Sequence, residues 1–213
     1  QNFWKATTVF SAIGLYKTLH YCAACLPEDF RQELERLLAE NAGWIYENLR
    51  IGYASNINYY AAGAAALAAC GNYFDRADYR AQAHTLLDYC MQRFTAGGLL
   101  AGEGQPHDET TPKGCKAVDI GYNMEESIPC RVAAAQELKQ KKALTALAEH
   151  MEKMLVFLLP DGGWDNSFGS RNNKWTYYGS RTSDGCLEAL LTLATYNPVF
   201  YEAARRCVEQ YER

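Results

Sequence analysis

The 213-residue sequence predicts an all-α fold built as a ring of antiparallel helical hairpins, an α/α toroid. Two alternations and one absence predict it. Apolar stretches of helical period are joined by connections that are alternately tight and long. The tight ones lie at Leu26-Pro27, Gly71–Asp75, Lys139-Gln140 and Asn197-Pro198; the long ones run from Arg50 to Ser55, Thr95 to Tyr122 and Leu159 to Thr182. Helix composition alternates too: small apolar residues fill Ala61–Ala69, Val132–Ala135 and Leu187–Ala194, whereas charge marks the helices around Arg31–Arg36 and Glu149–Lys153. A helix apolar all round is buried and one with a charged face lies outside. No period-2 run competes over more than a few residues. The third, fifth and seventh helices are therefore expected inside. All three long loops should crowd one rim above their N-termini, where loops on a rigid scaffold carry binding chemistry.

Taken in order, the first helix is predicted over Trp4 to Cys25, with Phe10, Ile13, Tyr16, Leu19 and His20 at helical spacing. Pro27 opens the second, its fixed φ suited to a first turn, and Glu28 and Asp29 favour the positive helix end. The third starts near Asn56 and stops at Gly71, read as a C′ glycine. The fourth spans about Ala77 to Phe94 with Tyr79, Ala83, Leu86, Leu87 and Cys90 facing inward. The fifth begins at Asn123, with Glu126 completing a capping box, while Pro129 kinks it or delays its regular part to about Ile128. The sixth covers about Lys141 to Phe157, and the seventh follows Thr182 or Ser183 as N-cap. The eighth takes Asn197 as N-cap with Pro198 next.

Composition bounds the function. A net charge of −4 without a basic stripe argues against nucleic acid as a partner, and the longest apolar run, Tyr59–Cys70, is too short to cross a membrane. The length suits one domain over residues 1–213; because the chain opens on Gln1, we expect an N-terminal piece such as a signal peptide ahead of it. Eight cysteines sit mostly on apolar helix faces, and Cys22 and Cys25 share one face. Without a second such pair or a βαβ context we expect them reduced and mostly buried, packing as small hydrophobes. Reduced thiols favour a cytoplasmic compartment, with a periplasmic one left open. No histidine or carboxylate pair has metal-ligand spacing and no glycine loop is built for phosphate, so neither a metal nor another cofactor is expected.

The joint Leu159-Pro160-Asp161-Gly162-Gly163-Trp164-Asp165 and the Ala/Leu helix beyond it resemble the DGGW joints of α/α-toroid proteins. Terpene cyclases, prenyltransferases and many carbohydrate-active enzymes share that joint. The start of the third helix at Asn56 and Tyr59, with Gly121-Tyr122-Asn123-Met124-Glu125-Glu126, is more similar to the heparinase- and alginate-lyase-like toroids. The resemblance covers the chain as architecture, and the joint marks fold more than function. Such rings usually hold about six hairpins, so the four counted here imply a partial toroid or an excerpt of a longer chain.

The rim's polar and aromatic residues carry the functional expectation. Aromatic rings stack on pyranose faces, and amides, carboxylates and guanidiniums bond hydroxyls, so an oligo- or polysaccharide is the expected partner. Cleavage of a uronate polymer by β-elimination needs a group that neutralises the carboxylate, a base for the C5 proton and an acid for the leaving oxygen. Asn58, Arg171 and Arg181 are candidates for the first; Tyr122, Tyr178 or His107 for the others. Tyr59, Trp175 and Asp184 complete the expected binding surface, with Trp175 as stacking platform. Packing is the competing reading for each tyrosine. A glycoside hydrolase would instead use two rim carboxylates. Glu125 is then the cleaner candidate, since Glu126 and Asp184 have capping and first-turn duties to perform. A non-catalytic glycan-binding domain is the third reading.

Overall fold

A computed structural model describes residues 5–53, 56–102, 110, 112–165, 168–169 and 182–211. It is all-α. The helices are α1 (Lys5–Cys22), α2 (Glu28–Asn48), α3 (Ile57–Tyr73), α4 (Ala77–Met91), the single turn α5 (Ile120–Tyr122), α6 (Ile128–Glu137), α7 (Lys141–Met154), α8 (Thr182–Leu193) and α9 (Val199–Tyr211). Short 3-10 turns extend α1 over Ala23–Cys25 and α7 over Leu155–Phe157. Among the described residues no strand forms beyond isolated bridges, and no helix is long and apolar enough to cross a membrane.

The helices pair as α1–α2, α3–α4, α6–α7 and α8–α9, and the first members of these pairs, α1, α3, α6 and α8, pack in succession on one another. The expected inner row is thus present in α3, α6 and α8, with α1 added. Every residue of α3 from Ile57 to Gly71 is buried except Tyr59. Its run of alanines explains why: small side chains let α1, α2, α4 and α6 close around one rod. A β-carbon on Gly63 would overlap Leu49 Cδ2. The outer helices carry their charge as ladders, Arg31 with Glu28 and Glu35 on α2 and Arg205 with Glu202 and Glu209 on α9. Such exposed pairs are screened by solvent and contribute little to stability.

Two tight joints use one device. Asp75 (φ 50°) and Lys139 (φ 55°) adopt the left-handed conformation just after α3 and α6. The following amides then reach back, Arg76 N to Gly71 O at 2.8 Å and Gln140 N to Ala135 O at 2.8 Å, which closes a Schellman cap in each case. This corrects the expectation for Gly71. It is not the C′ residue but lies within α3, where the start of α4 approaches so closely that a β-carbon would stand 2.7 Å from Arg80 Cγ.

A second correction concerns the fifth helix. It begins earlier, at Asp119, whose Oδ1 accepts from Tyr122 N at 3.1 Å. The chain then widens into a π turn over Asn123–Ser127 before α6. Pro129 has no N–H to give, and the wider turn moves the register so that the proline falls in the first turn of α6, where a missing donor costs nothing. The Asn123–Glu126 capping box does not form: Asn123 is itself helical (φ −60°, ψ −48°), within the segment that Asp119 caps, and Glu126 accepts from Asn58.

Cys22 and Cys25 are free, as expected, but exposed rather than buried. The end of α1 is exposed more widely, with Tyr21 71% exposed as well.

Candidate functional site

The described parts of the three long connections lie at one end of the helical array. The amide of Ile57, at the head of α3, donates to Gly102 O at 3.1 Å, and Gly102 N donates to Ala117 O at 2.9 Å. Asp119 forms an antiparallel bridge with Gly169, which ties the second long loop to the third. Gly169 is obligatory there: its φ is 133°, and a β-carbon would stand 2.7 Å from both Asp119 Cα and Val118 O. The described parts of the loops are themselves small hairpins, bridged at Phe94–Leu100, Thr110–Lys116 and Leu158–Trp164. The N-termini of α3 and α5 open beneath this junction, and α8 packs against the π turn. Converging helix N-termini give such a floor positive potential, which suits an anionic group.

The floor is polar and buried. Asn56, Asn58, Asp119, Asn123, Ser127 and Arg131 are each at most 6% exposed. Asn58 Nδ2, on α3, donates to Glu126 Oε2 in the π turn. Asn123 Nδ2 donates to Leu100 O at 3.2 Å, and Arg131 Nη1 to Cys90 O at 3.0 Å. A carboxylate and a carbonyl only accept, so these partners fix which way the two amides point. The outcome is that Asn58 Oδ1 and Asn123 Oδ1, together with Asn56 Oδ1 and Asp119 Oδ2, are buried acceptors with no hydrogen bond among the described residues. Buried acceptors without donors are costly and need a reason. A ligand rich in hydroxyl donors is one.

Of the ten candidate residues, Asn58 is buried in the first turn of α3, and Tyr59 beside it is half-buried. Tyr122 and Glu125 are half-buried in α5 and the π turn, which packs against α3. Asp184 is in the first turn of α8, its side chain outside the described part. His107, Arg171, Trp175, Tyr178 and Arg181 lie outside the described residues. Sequence reasoning undervalued Glu126, taken as a cap, and missed Arg131 altogether. The signal for Arg131 was present: an arginine set between Cys130 and Val132 in an apolar inner helix has no solvent face to occupy. Glu126 also reaches Cys130, whose thiol is pushed up to about 12, by burial first and by the carboxylate second. Among the described residues no group of three or more His, Cys, Asp or Glu side chains could hold a metal ion.

The whole chain, residues 1–213, matches the family described as the ulvan lyase N-terminal domain. The chain belongs to that family. It is also 35% identical over 208 residues to a protein named broad-specificity ulvan lyase from Formosa agariphila, an alignment that covers 97% of this chain and 32% of that one. The chain thus spans about a third of the length of this relative. No solved structure matches it significantly.

Proposed function

We propose that this domain is the helical, α/α-toroid part of a polysaccharide lyase, and that the junction of its three long loops holds an acidic, uronate-bearing chain such as ulvan. The observation that carries this reading is the buried Asn58 bonded to the half-buried Glu126 beneath the long loops, in a chain of this family.

In the proposed reaction a base removes the proton at C5 of the uronate, the C4–O4 bond breaks as the C4–C5 double bond forms, and an acid protonates the leaving oxygen. Removal of that proton is feasible only if the carboxylate is neutralised, because charge then spreads onto it. Arg171 and Arg181 are assigned to that task, with the N-terminus of α3 beneath them, while Asn58 Oδ1 accepts from a sugar hydroxyl. Tyr122, Tyr178 or His107 moves the protons, Trp175 and Tyr59 stack on sugar faces, and Glu125 and Asp184 bond hydroxyls. A hydrolase based on two rim carboxylates fits less well, since Glu126 is engaged by Asn58.

The test is affinity electrophoresis of the chain in gels containing ulvan, another uronate polymer or a neutral polysaccharide, with product ultraviolet absorbance and reducing ends followed in parallel. Retardation in the acidic gels alone is expected, and Arg181→Ala should weaken binding by roughly 1.5–3 kcal/mol as a charge-assisted hydrogen bond is lost. Where turnover is observed, Tyr122→Phe should lower it by roughly 10²–10⁴ if Tyr122 transfers a proton. Equal mobility in all three gels would remove the substrate class; new reducing ends without an unsaturated product would replace the lyase with a hydrolase.

A further inference from the structure

Cys22 and Cys25 have no part in the loop junction or the core. With Cys115 they are the exposed thiols, whereas Cys70, Cys90, Cys130, Cys186 and Cys207 are buried. Burial pushes the Cys70 thiol up to about 12 and Cys207 up to about 11, so these groups stay protonated and pack as hydrophobes. The exposed pair stands in a different local structure. The chain leaves α1 at Cys22 and tightens into the 3-10 turn Ala23–Cys25, closed by Leu26 N to Ala23 O at 3.2 Å. A 3-10 turn has three residues per revolution, so side chains three apart are eclipsed. Cys22 enters this turn and Cys25 ends it, three residues apart and both exposed, with only alanines between them.

We propose that Cys22 and Cys25 are an oxidation site: a dithiol that reacts with a low-molecular-weight disulfide and closes to an intra-turn disulfide. One cysteine thiolate attacks a sulfur of the small disulfide, forming a mixed disulfide and releasing one thiolate. The second cysteine then attacks the protein sulfur of that bond and releases the other. The two protons lost by the cysteines end on the two leaving thiols, so the protein is oxidised by two electrons and the small disulfide is reduced.

The geometry bears this. Side chains three apart on a helix have β-carbons ~5–6 Å apart, and a disulfide brings them to about 4 Å. The backbone must absorb the difference, and a single terminal turn with exposed side chains can, where the middle of an α-helix held by neighbours cannot. The pair sits at the C-terminal end of α1, not at the helix N-terminus that thiol oxidoreductases exploit, so it is a crosslink and not a redox catalyst. Closing it fixes the end of α1 that supplies Tyr16, Lys17 and His20 to a cavity of about 300 Å³, walled opposite by Glu137 and Glu188.

The test uses the intact chain, incubated with glutathione disulfide, alkylated and digested with trypsin. Cleavage after Lys17 and Arg31 leaves both cysteines in the peptide Thr18–Arg31. That peptide is expected unalkylated and two hydrogens lighter than its dithiol form, while the peptide holding Cys115 carries glutathione or alkyl. In Cys22→Ser, Cys25 should stop at the mixed disulfide. Recovery of Thr18–Arg31 with both cysteines alkylated, or with a glutathione on each, would overturn the proposal.

Discussion

Gly162, in the third long loop, lies against the backbone of Arg206 on α9, so closely that a β-carbon would stand 2.6 Å from the Arg206 carbonyl carbon and overlap its oxygen. Its φ of 93° is also one that L side chains rarely adopt. The Asp161-Gly162-Gly163-Trp164 joint is therefore a packing device. Glycine lets α9 approach, Leu159 N bonds Gly163 O at 2.8 Å, and Trp164 enters the core at 3% exposure.

Gly162→Ala should accordingly lower stability by about 3 kcal/mol, because strain and a backbone clash act together. Gly114→Ala is the comparison: its φ is 74° but nothing lies within 4 Å of the new β-carbon, so only the strain, about 1 kcal/mol, should remain. Urea midpoints of the two variants give the difference, and equal midpoints would remove the clash from the account.

His150 sets an acid-side dependence. It is 2% exposed, its Nδ1–H donates to Gly98 O, and burial, with lesser contributions from Arg131 and Lys153, lowers its folded pKa from 6.5 to about 4. The unfolded chain takes up a proton between these values and the folded chain does not. The stabilisation is therefore complete above about pH 6.5 and is lost as pH falls towards 4, by at most about 3 kcal/mol. Denaturant midpoints across that window should show the slope, and His150→Gln should flatten it.

Lys139→Gly should raise stability by about 0.5 kcal/mol. The left-handed conformation at the C′ position of α6 costs a lysine ~1–2 kcal/mol, and glycine's extra unfolded-state entropy returns only about 0.5–1 kcal/mol of that. A lower thermal midpoint for the variant would contradict the Schellman reading of this joint.

Asn58 and Glu126 should be energetically coupled. Removing Glu126 takes this acceptor from the buried Asn58 amide, and removing Asn58 takes this donor from the half-buried carboxylate, so Asn58→Ala and Glu126→Ala are each expected to cost about 1–3 kcal/mol. The double variant should cost less than their sum, and a double-mutant cycle should return about 1–2 kcal/mol of interaction. Additive costs would separate the two side chains. Because this is a stability measurement, it stands apart from the proposed lyase activity.

The sequence by itself determined everything that rests on contacts within a few residues. The inward face of α4, Tyr79, Ala83, Leu86, Leu87 and Cys90, is the set read from helical spacing. The burial of α3 followed from its alanines, and the crowding of the long loops at one end followed from their alternation with tight joints. These are consequences of a 3.6-residue period and of antiparallel hairpins, which any stretch of the chain carries in its own residues. What only the tertiary structure decided is which side chains from distant stretches meet. Asn123 and Glu126 satisfy the local rule for a capping box, yet Asn123 turns to Leu100 and Glu126 to Asn58, 68 residues away. Arg131 is buried because α6 is enclosed. Cys22 and Cys25 are exposed because no neighbouring helix covers the end of α1 among the described residues. Partner choice between helices depends on which rods stand side by side and how far each extends, and no local period encodes that.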